Sequence, residues 1–174
     1  TQLHLLKSET DWETLGTTLD DAAGEAFDKV AKMLGLGYPG GPIVSKKALN
    51  GDRKKYELPK IYLEKESLNF SFSGLKAAVY RLIEQEKKTN KTLSETFIND
   101  VCASFEYTVG KIFLKKIERA FEQFPHAHNL LFVGGVSANR YLKKIFSIYL
   151  KTKNKQLITP QEIEFSTDNA AMIA

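Results

Sequence analysis

The chain has 174 residues, 43% of them hydrophobic, which excludes an intrinsically disordered segment and gives one domain enough material for a core. Its formal charge of +4 permits an anionic partner without demanding one. The single cysteine, Cys102, excludes an internal disulfide, and no apolar run approaches the ~18 residues of a membrane-spanning helix. Cys102 sits among Val101, Ala103 and Phe105, the setting of an inert buried thiol, and a reducing, cytoplasmic location is expected. The chain opens on Thr1 rather than Met and its last block stops within a helical pattern, so both ends are expected to be cut from a longer protein.

Leu3, Leu5 and Leu6, then Trp12, Leu15 and Leu19, predict two short strands about the polar bend Ser8-Glu9-Thr10-Asp11. Asp20 is placed to cap a helix running to about Leu34, with Gly35 ending it. Ala22, Ala23, Ala26, Phe27, Val30, Ala31 and Leu34 give that helix its apolar side, while Asp21, Glu25, Asp28 and Lys32 occupy the other. Pro39-Gly40-Gly41-Pro42 breaks the chain and opens a short helix to about Leu49, before the turn Asn50-Gly51-Asp52. Residues 52–66 read as a charged surface loop with a short strand at Ile61–Leu63, and Asn69–Phe72 alternates as a strand should.

A helix is expected from Leu75 to Lys87, then a polar connector at 88–91. Ser94 should cap the longest helix, to about Phe124, with a buried stripe through Phe97, Val101, Phe105, Val109, Ile112, Ile117 and Ala120, and a bend at Gly110. Leu130–Val133 reads as a fully buried strand, followed by Gly134-Gly135, a helix capped by Ser137 or Asn139 and ending near Leu150, and a strand at Gln156–Ile158. Thr167 or Asp168 caps a last helical stub. This order predicts an α/β or α+β domain, one mixed sheet with helices packed on it.

Strand, Gly-Gly, helix is a nucleotide-cradling layout, because a helix N-terminus offers free N–H groups and partial positive charge. On residue types alone each candidate has a plain structural role beside the functional one. Asp21, Glu25 and Asp28 form an acidic face, with Glu25 able to pair with Lys29; Gly41 serves turn geometry; Asn139 and Asp168 cap helices. His126 and His128 follow Pro125 in a surface loop, and no His-Glu-x-x-His occurs. The basic runs at Lys46-Lys47, Arg53-Lys54-Lys55, Lys87-Lys88, Lys115-Lys116, Lys143-Lys144 and Lys151 to Lys155 read as solvated faces that together add affinity for a nucleic-acid backbone.

Gly134-Gly135-Val136-Ser137-Ala138-Asn139-Arg140 resembles the signature of the TsaD/Gcp (YgjD) family, within the superfamily of actin, heat-shock chaperones and sugar kinases. Four further blocks agree in order: Leu19 to Lys29, Tyr38 to Pro42, Phe70 to Lys76 and Thr167 to Ala174. The resemblance implies the second lobe of a two-lobed, actin-like ATPase fold, residues 1–174 forming a single lobe. It implies part of a tRNA N6-adenosine threonylcarbamoyltransferase, taking the group from threonylcarbamoyl-AMP, with the family's older name, metal-dependent O-sialoglycoprotein endopeptidase, the weaker functional claim. Asp28, Gly41 and Asn139 are implied to contact the adenine nucleotide, Asp28 through the ribose hydroxyls; Ser45 stands where some family members carry an aspartate. Asp168 is implied to ligate a divalent metal, iron or zinc, with two histidines of a His-x-x-x-His pair that this chain lacks. The metal would polarise the acyl carbonyl. Implied partners are tRNA and TsaB-like and TsaE-like proteins; a nucleotide-binding or partner-docking lobe, inactive alone, is the reading favoured for a chain of this length.

Overall fold

The structure, a computed structural model, describes residues 1–160. The alternation of Leu3 and Leu5 with polar neighbours produces strand β1 (Gln2–Leu6), paired antiparallel with β2 (Trp12–Thr17), so that Leu6 faces Trp12 and His4 faces Thr14. Ser8 closes the bend by accepting the N–H groups of Thr10 and Asp11. Helix α1 (Ala23–Met33) buries Ala23, Ala26, Phe27, Val30 and Ala31, and Gly35, at φ +71°, ends it in the left-handed conformation that suits glycine. Helices α2 (Gly40–Ala48), α3 (Ser73–Asn90) and α4 (Glu95–Gln123) follow. Ser94 caps α4 by accepting the Phe97 N–H at 3.1 Å.

The chain divides into two compact units, residues 1–120 and the part from Phe121 onward. In the first, Phe27 of α1 meets Phe105 of α4 edge-on at 5.0 Å, and Phe70 and Phe72 gather about Phe113. Each such ring withdrawn from water contributes roughly 1.5–3 kcal/mol. In the second, β3 (Asn129–Leu131) leads through a 3-10 turn at Gly135–Ala138 into α5 (Arg140–Thr152) and then β4 (Gln156–Ile158), which lies parallel to β3. Leu142, Phe146 and Leu150, spaced by four, form the buried side of α5, and Phe132 packs edge-on against Phe146 at 5.1 Å.

Several sequence expectations are corrected. The described residues form two separate two-stranded sheets, not one mixed sheet. No strand forms at Ile61–Leu63, because the carbonyls of Tyr62, Glu64 and Ser67 are taken by side chains of α4. Asn69–Phe72 keeps its alternation, with Phe70 and Phe72 buried, but makes only one bridge, Phe70 to Thr18, before Asp20 takes the Phe72 N–H. Asp20 therefore does not cap α1. Thr1 does so instead, its hydroxyl accepting the Ala23 N–H at 2.7 Å, while Glu25 reaches back to the Ala22 N–H.

Helix α4 runs unbroken through Gly110 and is buried on nearly every side from Asn99 to Gly110, not along one stripe. Lys116 is wholly buried and Arg53 reaches the buried Glu106 at 3.2 Å, so neither belongs to a solvated face. Strand β3 is not enclosed: Leu131 and Val133 stay 48% and 65% exposed while Phe132, facing the other way, meets α5. Asn139, not Ser137, caps α5.

Candidate functional site

Helices α1 and α2 meet at one point, and Gly40 makes it possible. A Cβ there would lie 2.6 Å from the Asp28 Cα and 2.7 Å from the Ala31 Cβ. Gly40 is the first residue of α2, where the N–H has no partner within the helix. Asp28 supplies one: its Oδ1 accepts the Gly40 N–H at 2.7 Å. The carboxylate thus meets the positive end of α2, and Pro39 and Pro42 sit where missing N–H groups leave no helical bond unmade. Gly41, one residue on, has open space where its Cβ would be.

Beside this corner lies an open groove of about 320 Å³, lined by Glu25, Asp28, Lys29, Lys32, Leu36, Gly37 and the 84% exposed Tyr38. It offers two carboxylates, two ammonium groups, an aromatic ring and backbone glycine, a set suited to a sugar with hydroxyl groups, a base and an anionic tail. Lys29 is fixed by the Asp21 and Glu25 carboxylates, each at 2.8 Å, which hold its ammonium above the usual lysine range. Asp21 also pairs with Lys76 of α3; burial pushes the Asp21 carboxyl up, and the bonds from Lys29 and Lys76 more than reverse that. Asp21 is therefore a strut between α1 and α3, leaving Asp28 as the acidic residue of the groove that faces α2.

Asn139 belongs to the second unit. It is 9% exposed, and its Oδ1 accepts the Leu142 N–H at 2.9 Å, the N-cap of α5. Gly134, at φ +81°, turns the chain from β3 toward this cap. The structure brings Asp28 together with the Pro39-to-Gly41 turn; Asp168 lies outside the described residues. No group of three or more His, Cys, Asp or Glu side chains able to hold a metal occurs among the described residues, so these do not by themselves fit a metal. His126 and His128 are exposed, as expected of their loop.

Sequence reading missed a polar framework. Asp20 accepts the Phe72 N–H at 2.8 Å and the Ser71 hydroxyl at 2.6 Å, fixing the entry to α3; burial pushes its carboxyl up, and these bonds carry it below the usual range. Lys116 donates to the Tyr62 and Ser67 carbonyls, and Arg119 to those of Tyr62, Glu64 and Ser67. The signal available was a lysine and an arginine three apart at positions where α4 remains inside the core.

Residues 1–174 match the family model described as TsaD: tRNA N6-adenosine threonylcarbamoyltransferase. The chain belongs to the TsaD family. Curated relatives carry the same description, tRNA N6-adenosine threonylcarbamoyltransferase. That of Rickettsia conorii (strain ATCC VR-613 / Malish 7) is 49% identical over 169 residues, covering 94% of this chain and 48% of the relative. That of Thermosipho africanus (strain TCF52B) is 44% identical over 174 residues, 100% of this chain and 51% of the relative. That of Rickettsia bellii (strain OSU 85-389) is 47% identical over 168 residues. The chain spans about half the length of the curated relatives it matches. Among the described residues no helix is long and apolar enough to cross a membrane.

Proposed function

We propose that this chain is the nucleotide-binding part of a cytoplasmic tRNA N6-adenosine threonylcarbamoyltransferase, within one lobe of an actin-like, two-lobed protein. The observation that carries the reading is the family match over all 174 residues; the Asp28 groove agrees with it. In the reaction the N6 amine of a tRNA adenosine attacks the carbamoyl carbon of threonylcarbamoyl-AMP. A C–N bond forms, the bond from that carbon to the phosphate oxygen breaks, AMP leaves, and the amine gives up a proton. Asp28 orients the AMP part by accepting its ribose hydroxyls, and Gly41 leaves room for the ligand against the start of α2. Asn139, at the start of α5, is the further nucleotide contact that the family resemblance implies.

Asp168 is one ligand of a divalent metal, iron or zinc, with the histidines supplied by the part of the relatives' length that this chain does not span. TsaB-like and TsaE-like proteins are its partners. The chain of residues 1–174 alone is inactive. In the full-length protein, Asp168→Asn is expected to lower metal content, read by elemental analysis, together with threonylcarbamoyl transfer to tRNA. Wild-type levels of both in that variant would end the metal assignment, and absence of transfer by the unaltered full-length protein with its partners would end the transferase reading.

A further inference from the structure

Residues 123–160 contain no aspartate or glutamate, yet hold Arg140, Lys143, Lys144, Lys151, Lys153 and Lys155. The other basic runs are interleaved with acid. Lys47 pairs with Glu95, Arg53 with Glu106, Lys87 with Glu84 and Lys115 with Glu118. The ion pairs among the described residues all fall between Lys7 and Glu118. From Gln123 to Pro160 the chain therefore carries basic residues with no acidic residue among them.

Geometry gathers these basic residues further. At about 100° per residue, Arg140, Lys144 and Lys151 fall within about 40° of one another around α5, away from the buried Leu142, Phe146 and Leu150. All three are exposed, and so is Lys153 in the turn that follows. At ~1.5 Å per residue, Arg140 to Lys151 covers roughly 16 Å, about five phosphates of a duplex strand at ~3.4 Å of axial rise each. Lys155 stands apart: its Nζ donates to the Pro125 and Ala127 carbonyls and lies 4.4 Å from the Phe121 ring centroid, locking the turn before β3. The row starts next to Asn139.

We infer that the outward face of α5 and its following turn, Arg140, Lys144, Lys151 and Lys153, is a sequence-independent docking surface for the phosphate backbone of RNA. The inference rests on the reading that the full-length protein acts on tRNA. A row of flexible cations that no carboxylate of the described residues pairs with binds phosphates by releasing counterions, so its contribution falls steeply with salt.

The test uses the full-length protein carrying Lys144→Gln, Lys151→Gln and Lys153→Gln together, which leaves Asn139 and Arg140 in place. Binding of unmodified tRNA is followed by fluorescence anisotropy from 50 to 200 mM salt. Affinity at the low-salt end should fall about tenfold or more, and the log–log salt slope should become shallower by about 2. Affinity for AMP should not change. A control with Lys54→Gln, Lys87→Gln and Lys88→Gln, equal in charge but located in the first unit, should keep the wild-type slope. An unchanged slope in the α5 variant, or an equal loss in the control, overturns the surface while the tRNA reading stands. A variant that keeps tRNA binding but loses an acidic protein partner overturns the assignment to RNA. Unaltered full-length protein that binds no tRNA sinks the underlying reading, and the surface with it.

Discussion

At the scale of single residues, neighbouring glycines have different tasks. Gly40 is required by packing, since its missing Cβ is the room in which α1 and α2 cross. Gly41 has no such neighbour, so the protein alone gives it no steric reason to be glycine. Gly40→Ala should lower stability by about 1–3 kcal/mol, because the contacts it would strain are the Asp28 backbone and Ala31 rather than a movable side-chain tip. Gly41→Ala should leave stability unchanged within about 1 kcal/mol, alanine being the better helix former, while weakening adenine-nucleotide binding by the full-length protein. Urea unfolding and calorimetry on both variants check this; a Gly41→Ala protein that binds AMP as wild type does would free Gly41 from the site. The sequence made Asp28 and the Pro39-to-Pro42 break visible because both are local patterns. It did not reveal their mutual bond, which joins residues 12 apart through α1, the loop and the start of α2. It misassigned Asp20 for the same kind of reason: an aspartate just before an apolar helix is a good cap by local rules, and a partner 52 residues away outweighed them.

At the scale of elements, α4 departs furthest from its sequence pattern. Periodicity located the helix and its cap, but an amphipathic stripe was the wrong picture of a helix surrounded by protein. Its buried polar residues anchor residues 52–67. Asp100 accepts the Asp52 N–H at 2.8 Å, Ser104 accepts the Tyr56 N–H at 3.2 Å, and Lys116 and Arg119 hold the carbonyls of 62–67. This is why a charged, irregular segment lies in a fixed path without strand pairing. It also has a pH signature. Burial, with Arg119 alongside, pulls the Lys116 ammonium down to about 8 from its ordinary 10.5. Between these values the unfolded chain binds the extra proton, so Lys116 makes stability rise with pH from about 8 to 10.5; below 8 both states are protonated and its contribution is flat. A neutral amine still donates to the Tyr62 and Ser67 carbonyls. Wild type should gain roughly 1–3 kcal/mol on Lys116→Met between pH 7.5 and pH 10, measured as the difference of their urea-unfolding free energies. A difference that stays constant across that range would mean that Lys116 titrates as an ordinary exposed lysine.

At the scale of the whole molecule, the decisive fact is that the chain spans about half of its relatives. The five sequence blocks were legible because each is short and local. The sheet was not: a strand pattern shows that a segment will extend, but its pairing depends on the edges available, and here two pairs form separately. The candidate ligand residues are divided likewise, Asp28 and Gly41 in one compact unit and Asn139 in the other. The Asp28 groove is open to solvent on a broad side and lined by side chains of α1 and the loop after it. A nucleotide resting there would keep much of its surface hydrated, whereas a well-held small ligand buries about 70–90% of it. The loss of translational and rotational freedom on capture is nearly the same for a half-made cleft as for a complete one, so removing contacts removes affinity without a matching saving. Residues 1–174 alone should therefore bind AMP or ATP at least tenfold more weakly than the full-length protein, with Asp28→Asn reducing the full-length affinity toward that of the shorter chain. Titration calorimetry on the three proteins decides it. Equal affinity in the short and full-length chains would show that these residues already make the entire nucleotide site, and an Asp28→Asn protein with full affinity would show that the carboxylate serves only the N-terminus of α2.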